Sequence, residues 1–260
     1  SNLVTLYPNL KIEIKGFSTT GDRFLDTSLS KIGGKGLFIK ELETALKNNE
    51  ADVAVHSMKD LPPQLPEEFV IAAVLERHDA SDALVSNIYS DLSLMKPGAL
   101  VGTSSARRQS QILAAFPGVN IKLLRGNVNT RIKRLDEGVF DAIVLATSGL
   151  ERLGLGNRIA QRLPIEMCLP SAGQGALGIE CRKDDECIEL IKPLNHDLSE
   201  KCVNMEKEFV GLLNGSCSLP IGCHARLFDN NRSIKCEGFV GSFDGKVILR
   251  DAVTKVFDDS

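Results

Sequence analysis

Residues 100–146 read LVGTSSARRQSQILAAFPGVNIKLLRGNVNTRIKRLDEGVFDAIVLA, and the order of elements in this stretch decides the fold class. Leu100-Val101 is an apolar strand start, and residues 106–116 carry helical spacing. Residues 121–124 form a second strand, 128–135 a second helix and 142–146 a third strand. Strands alternating with helices predict an α/β domain with largely parallel strands.

The same grammar extends upstream. Leu10, Ile12 and Ile14 alternate with Lys11, Glu13 and Lys15, the period of a half-buried strand. Gly33-Gly34-Lys35-Gly36 is a flexible turn, followed by a helix with Phe38, Leu42, Ala45 and Leu46 on one face. Residues 51–56 read as a buried strand ending in Ser57-Met58-Lys59-Asp60, where Pro62-Pro63 bar any regular continuation. Residues 69–75 and 177–180 add strands, the latter after the Gly173-Gln174-Gly175 turn.

Beyond residue 197 the pattern changes. Asp197-Leu198-Ser199-Glu200 fits a capping box, opening a helix with Leu198, Cys202, Met205, Phe209 and Leu213 on one side. Residues 233–241 and 246–253 flank Asp244-Gly245, a hairpin signal. The chain therefore reads as two α/β blocks and a smaller α+β block.

The 260 residues are 43% hydrophobic and 25% charged, with a net charge of −3. That balance supplies no basic field for nucleic acid or an acidic membrane surface. Arginines nevertheless gather at 107, 108, 125, 131 and 134, which suits a small anionic ligand. No apolar run approaches the roughly 18 residues of a membrane span, and no secretory leader is recognised. The 7 cysteines include no CxxC pair, which points to reduced thiols in a cytoplasmic setting rather than to zinc. Histidines form no cluster, so no metal is expected.

Six motifs occur in order. They are residues 31–38 (KIGGKGLF), 55–62 (VHSMKDLP), 102–109 (GTSSARRQ), 124–131 (LRGNVNTR), 172–176 (AGQGA) and 215–222 (GSCSLPIG). Together they resemble the porphobilinogen deaminase family over essentially the whole chain. That resemblance implies two lobes like those of periplasmic binding proteins and a small α+β domain carrying the cofactor. Domain one would comprise residues 1–76 and 170–195, domain two 77–169 and domain three 196–260. It further implies a cytoplasmic monomer that condenses four porphobilinogen molecules, with loss of ammonia, into hydroxymethylbilane. The family's opening strand and C-terminal helix have no counterparts here, so an opened edge on domain one is expected.

The residues can be weighed beside this. Gly215 and Pro220-Ile221-Gly222 put Cys217 in a tight loop after a helix, whereas most free cysteines are small buried hydrophobes. By resemblance Cys217 carries the dipyrromethane cofactor through a thioether. Cys223, past the turn, reads as structural. Asp60 alone would read as a turn aspartate before Pro62, and the motif around it makes it the catalytic acid and cation stabiliser. Arginine forks suit the acetate and propionate groups of pyrroles. The resemblance gives Arg125, Arg131, Arg152, Lys31 and Lys35 to substrate. It gives Lys59, Ser57, Asp22, Thr103, Ser105, Arg107, Arg108 and Asn127 to the cofactor. Arg125 has local support, since Gly126 follows it at a strand end, where open α/β sheets bind ligands. Arg134 reads as a surface residue and His56 as a satisfied core or interface histidine. Lys31 and Lys35 lie in a segment that looks like a lid. The rival reading is a non-catalytic two-lobed binding protein for a small anion. A phosphate-cradling transferase is disfavoured, because no GxxxxGK[ST] is present.

Overall fold

The computed structural model describes residues 2–17, 39–215 and 218–256. Its elements are α1 (Asn2–Leu6), α2 (Lys40–Lys47), β1 (Ala54–Ser57), β2 (Phe69–Val74), β3 (Asp82–Val85), β4 (Leu100–Gly102) and α3 (Ala106–Ala115). There follow β5 (Asn120–Lys122), α4 (Val128–Asp136), β6 (Ala142–Ala146), α5 (Thr147–Arg152), β7 (Gln161–Leu163) and β8 (Leu177–Arg182). The last are α6 (Cys187–Ile191), α7 (Asp197–Leu212), β9 (Ile221–Phe228), β10 (Ser233–Gly241) and β11 (Ile248–Val256).

The strands make three sheets, ordered β1-β8-β2, β5-β4-β6-β3-β7 and β11-β10-β9. The five-stranded sheet is covered on both faces, which its alternation dictates. Ile143 and Leu145 pack with Ile132 and Leu135 of α4, while Ala142 and Val144 pack with Ile112 of α3. In the third sheet α7 covers Cys223, Ala225, Ile234 and Cys236.

The chain passes from the first sheet to the second between β2 and β3 and returns between β7 and β8. The two passes lie side by side: His78 N–H donates to Gly175 O at 3.2 Å and Leu75 N–H to Leu177 O at 2.9 Å. Gly175 has φ +92°, and a Cβ there would meet His78 O at 2.6 Å, so only glycine allows the passes to close up.

Where they meet, Asp82 is fully buried and holds two buried arginines from the first turn of α3. Its Oδ2 accepts from Arg107 Nη1 at 2.7 Å, and its Oδ1 accepts from Arg108 Nε at 2.9 Å. Gln174 Nε2 also donates to Oδ1, at 2.9 Å. Burial opposes ionisation of Asp82, but the two guanidinium groups outweigh it and hold the carboxyl well below the usual range.

Several expectations are corrected. Strands are not largely parallel: among the described residues only β4–β5 and β4–β6 pair that way. Strands β3 and β8 arrive from the other sheet, so they enter antiparallel to their neighbours. Residues 10–17 form no strand, and Ile14 is 92% exposed. Alternation is not enough without a partner to complete a ladder. The segment at 51–56 yields only the short strand β1, at the edge of its sheet among the described residues, with Val55 59% exposed. Helix α7 is capped by His196, whose Nδ1 accepts from Ser199 N–H at 3.3 Å, and not by Asp197. Strand β5 lies one to two residues earlier than expected.

Gly175→Ala is expected to destabilise the fold by on the order of 3 kcal/mol, read as a lower urea midpoint at constant slope. Asp82→Asn leaves two buried cations short of their carboxylate and is expected to cost on the order of 3–5 kcal/mol at neutral pH. Because the folded-state pKa is depressed, that contribution is present above the unfolded carboxylate value of about 3.9. It fades as pH falls below it, so urea unfolding of wild type and variant should converge in acid.

Candidate functional site

Parallel pairing of β4 with β5 brings their C-terminal ends to one edge of the sheet, and α3 and α4 both start there. Ser105 caps α3, its Oγ accepting from Arg108 N–H at 3.4 Å. Asn127 caps α4, its Oδ1 accepting from Thr130 N–H at 2.9 Å. Two helix N-termini at one edge favour anions. Gly126 has φ +104° and turns the chain so that its carbonyl accepts from Arg131 Nε at 2.7 Å. Thr103 is buried, and its Oγ1 accepts from Ser105 N–H at 3.2 Å.

The first sheet contributes from the other side. Strand β1 ends at Ser57 and runs into the 3₁₀ turn Met58–Asp60. Met58 is buried, and its N–H donates to Ala176 O at 3.0 Å. Anchored there, the turn leaves Lys59 half-buried and Asp60 exposed. Lys59 Nζ donates to Gln174 Oε1 at 3.4 Å. Gln174 is itself buried and spans the crossing, its Nε2 donating to Ala80 O at 2.7 Å.

These groups feel one another's charge. Burial lowers Lys59 to about 8, with Asp60 and Asp82 opposing and Arg108 and Arg107 adding to the fall. Burial lowers Arg131 to about 10, helped by Arg108 and Arg125 and opposed by Asp60. Among the described residues that act on Lys59 and Arg131, the cations Lys59, Arg107, Arg108, Arg125 and Arg131 outnumber the carboxylates Asp60 and Asp82. Such a cluster is stabilised by added anions.

Lys59, Asp60, Arg107, Arg108, Arg125 and Arg131 lie within range of one another's charge, while Ser57, Thr103, Ser105 and Asn127 stand at the strand ends and helix starts beside them. Arg107 and Arg108 are largely committed to Asp82, Val144 O and Leu169 O, so they set the local charge as much as they offer donors. Arg152 is exposed at the end of α5, and its Nη2 donates to Gly175 O at 2.6 Å. Asp22, Lys31, Lys35 and Cys217 lie outside the described residues. His56 is buried against Glu180 at 2.7 Å, a satisfied core pair. Cys223 is fully buried, 3.4 Å from Cys236 sulfur to sulfur.

Sequence reading missed Asp82, Arg77 and Glu206. Glu206 of α7 is fully buried and accepts from Arg77 Nη1 at 2.6 Å, Gly173 N–H at 2.7 Å and Ala225 N–H at 2.7 Å. It therefore ties the crossing to the third sheet. Its only sequence signal is an acidic residue among apolar positions of an amphipathic helix.

Family models match nearly end to end. Residues 2–190 match the porphobilinogen deaminase dipyromethane cofactor binding domain, and residues 200–259 match the porphobilinogen deaminase C-terminal domain. The porphobilinogen deaminase of Nitrosomonas europaea is 51% identical over 250 residues, covering 96% of this chain and 80% of the relative. That of Thiobacillus denitrificans is 52% identical over 247 residues, covering 95% and 80%. Among solved structures, a periplasmic substrate-binding protein of an ABC transporter from Coxiella burnetii has TM-score 0.47 and 14% identity, covering 80% of this chain and 88% of that one. That likeness is too slight to bear on activity. Two family models covering both parts of the chain, and relatives at about half identity, place this chain in the porphobilinogen deaminase family.

Proposed function

We propose that this protein is the transferase of tetrapyrrole synthesis that joins four porphobilinogen molecules head to tail, releasing ammonia and yielding hydroxymethylbilane. The observation that carries the reading is an exposed carboxylate, Asp60, set among a surplus of cations. Porphobilinogen brings an acetate and a propionate for the cations, and a pyrrole nitrogen that gains positive charge as ammonia leaves. Asp60 can hold the proton on that nitrogen and stabilise the charge. Arg125, Arg131 and Arg152, with Lys31 and Lys35, bind and orient the substrate carboxylates.

The same residues fit a dipyrromethane, which carries acetate and propionate on each ring: two capped helix N-termini and a local excess of cations meet that donor requirement. Cys217 would hold it covalently. Lys59, Ser57, Asp22, Thr103, Ser105, Arg107, Arg108 and Asn127 would line it. When bound, the group supplies the pyrrole carbon from which the product chain starts. We assign residues 1–76 with 170–195, 77–169 and 196–260 to three domains, a division the three separate sheets support. The protein would act as a cytoplasmic monomer. Among the described residues, no helix is long and apolar enough to cross a membrane.

The deciding measurement is the intact mass of the purified protein. An excess equal to two linked pyrroles, absent from Cys217→Ala, is expected. An unmodified Cys217 that porphobilinogen also fails to modify would favour the binding-protein reading instead. A second expectation concerns pH. Lys59 sheds its proton near pH 8, so the site loses a cation above that value, and the KM for porphobilinogen should rise several-fold between about pH 7 and 9. In Lys59→Arg, which stays charged, that rise should disappear.

A further inference from the structure

We propose that Lys207 is a positioning residue that holds the Asp60 turn in its working place from helix α7. The inference rests on the reading of Asp60 given above. Leu61 precedes Pro62 and is extended, with φ −74° and ψ 144°. The next two residues, Pro62 and Pro63, have no N–H to offer. Among the described residues no turn or loop N–H, that of Gln64 included, donates to the carbonyl of Leu61, although Leu61 itself is buried. Lys207 fills that need: it is 9% exposed, and its Nζ donates to Leu61 O.

Its neighbours on the helix act on the same segment. Val203 shares a core cluster with Met58 and Leu61. Gly211 lies so close to Pro63 that an added Cβ would sit 3.3 Å from the Pro63 Cβ. Positions 203, 207 and 211 are spaced by four and form one stripe of α7. That stripe touches the chain before and after Asp60, and the helix carrying it leads into the loop of Cys217. A lysine withdrawn from water is costly to keep, and the geometry gives that cost a purpose: fixing the exposed carboxylate relative to helix α7.

The test uses Lys207→Met, Lys207→Arg and Gly211→Ala as purified holoproteins, with turnover normalised to the fraction carrying the cofactor mass. Lys207→Met should lower kcat by roughly 10- to 100-fold with KM within about twofold, since small displacements of a reacting group act mainly on rate. Hydrogen exchange of the peptide spanning residues 58–65 should quicken while other peptides stay unchanged. Lys207→Arg should recover most of kcat. Gly211→Ala favours the helix, so its Tm should hold or rise, yet kcat should fall several-fold as Pro63 is pushed. If Lys207→Met does not fold, Lys207→Arg and Gly211→Ala decide the matter. Unchanged kcat in these variants, or losses that follow Tm without local exchange, would overturn the proposal. If wild type itself fails to consume porphobilinogen, the reading of Asp60 falls instead.

Discussion

Two guanidinium groups withdrawn from water beside each other repel, and burial removes the hydration that would mask that repulsion. Asp82 answers both at once, one oxygen to Arg107 and the other to Arg108. The arginines belong to the first turn of α3 and the carboxylate to the head of β3. Gln174, from the returning pass, completes the set. The seating of a helix on its sheet, and of that sheet on the crossing, thus depends on one carboxylate. Arg107 extends the tie to Leu169 O and to Ser171 Oγ, at the end of the same pass.

One carboxylate for two arginines leaves the buried centre with an excess positive charge. Lys59 and Arg131 feel it, and both are pushed below their ordinary pKa values, burial being the larger cause and the neighbouring arginines the next. A fold selected for stability alone would have no reason to crowd cations at the edges of two sheets. Carboxylates entering the cleft relieve the repulsion, so the free protein stores in electrostatics part of what binding releases. A growing chain of pyrroles, which adds carboxylates at each step, suits such a reservoir better than a single small anion would.

The α/β alternation at 100–146 was legible because each element there has a strong period of its own, and β6 and α4 fall within a residue of expectation. Strands β3 and β7 were not legible: four and three residues are too short to show a period. The antiparallel entry of β3 and β8 was hidden for another reason. Strand direction depends on which sheet a segment joins, and nothing local records it. Of the candidate site, the motifs supply the residues but not their division of labour. Arg107 and Arg108 look alike in sequence with Arg125 and Arg131, and only the position of Asp82 shows that the first two are committed to a carboxylate. Nor could Lys207 or Gly211 be seen, because the stripe they form with Val203 is not apolar and escapes a search for hydrophobic faces.

Helix α7 has three working faces, which is why its pattern reads so weakly as a single amphipathic stripe. Cys202, Met205 and Phe209 pack on the third sheet. Glu206 and Ser199 reach the crossing, Ser199 Oγ accepting from Arg77 N–H at 2.9 Å. Val203, Lys207 and Gly211 meet the segment around Asp60. The third sheet is pinned to the five-stranded body as well, through Arg250 Nη2, which donates to Ile165 O at 3.0 Å. Any swing of one sheet body against the other must therefore break buried polar contacts at Glu206 or carry α7 with it. Helix α7 keeps its register with Asp60 when it stays with the crossing and the first sheet, held there by Glu206, Val203 and Lys207. Since a buried carboxylate stripped of its arginine is strongly disfavoured, the structure favours motions that preserve that register.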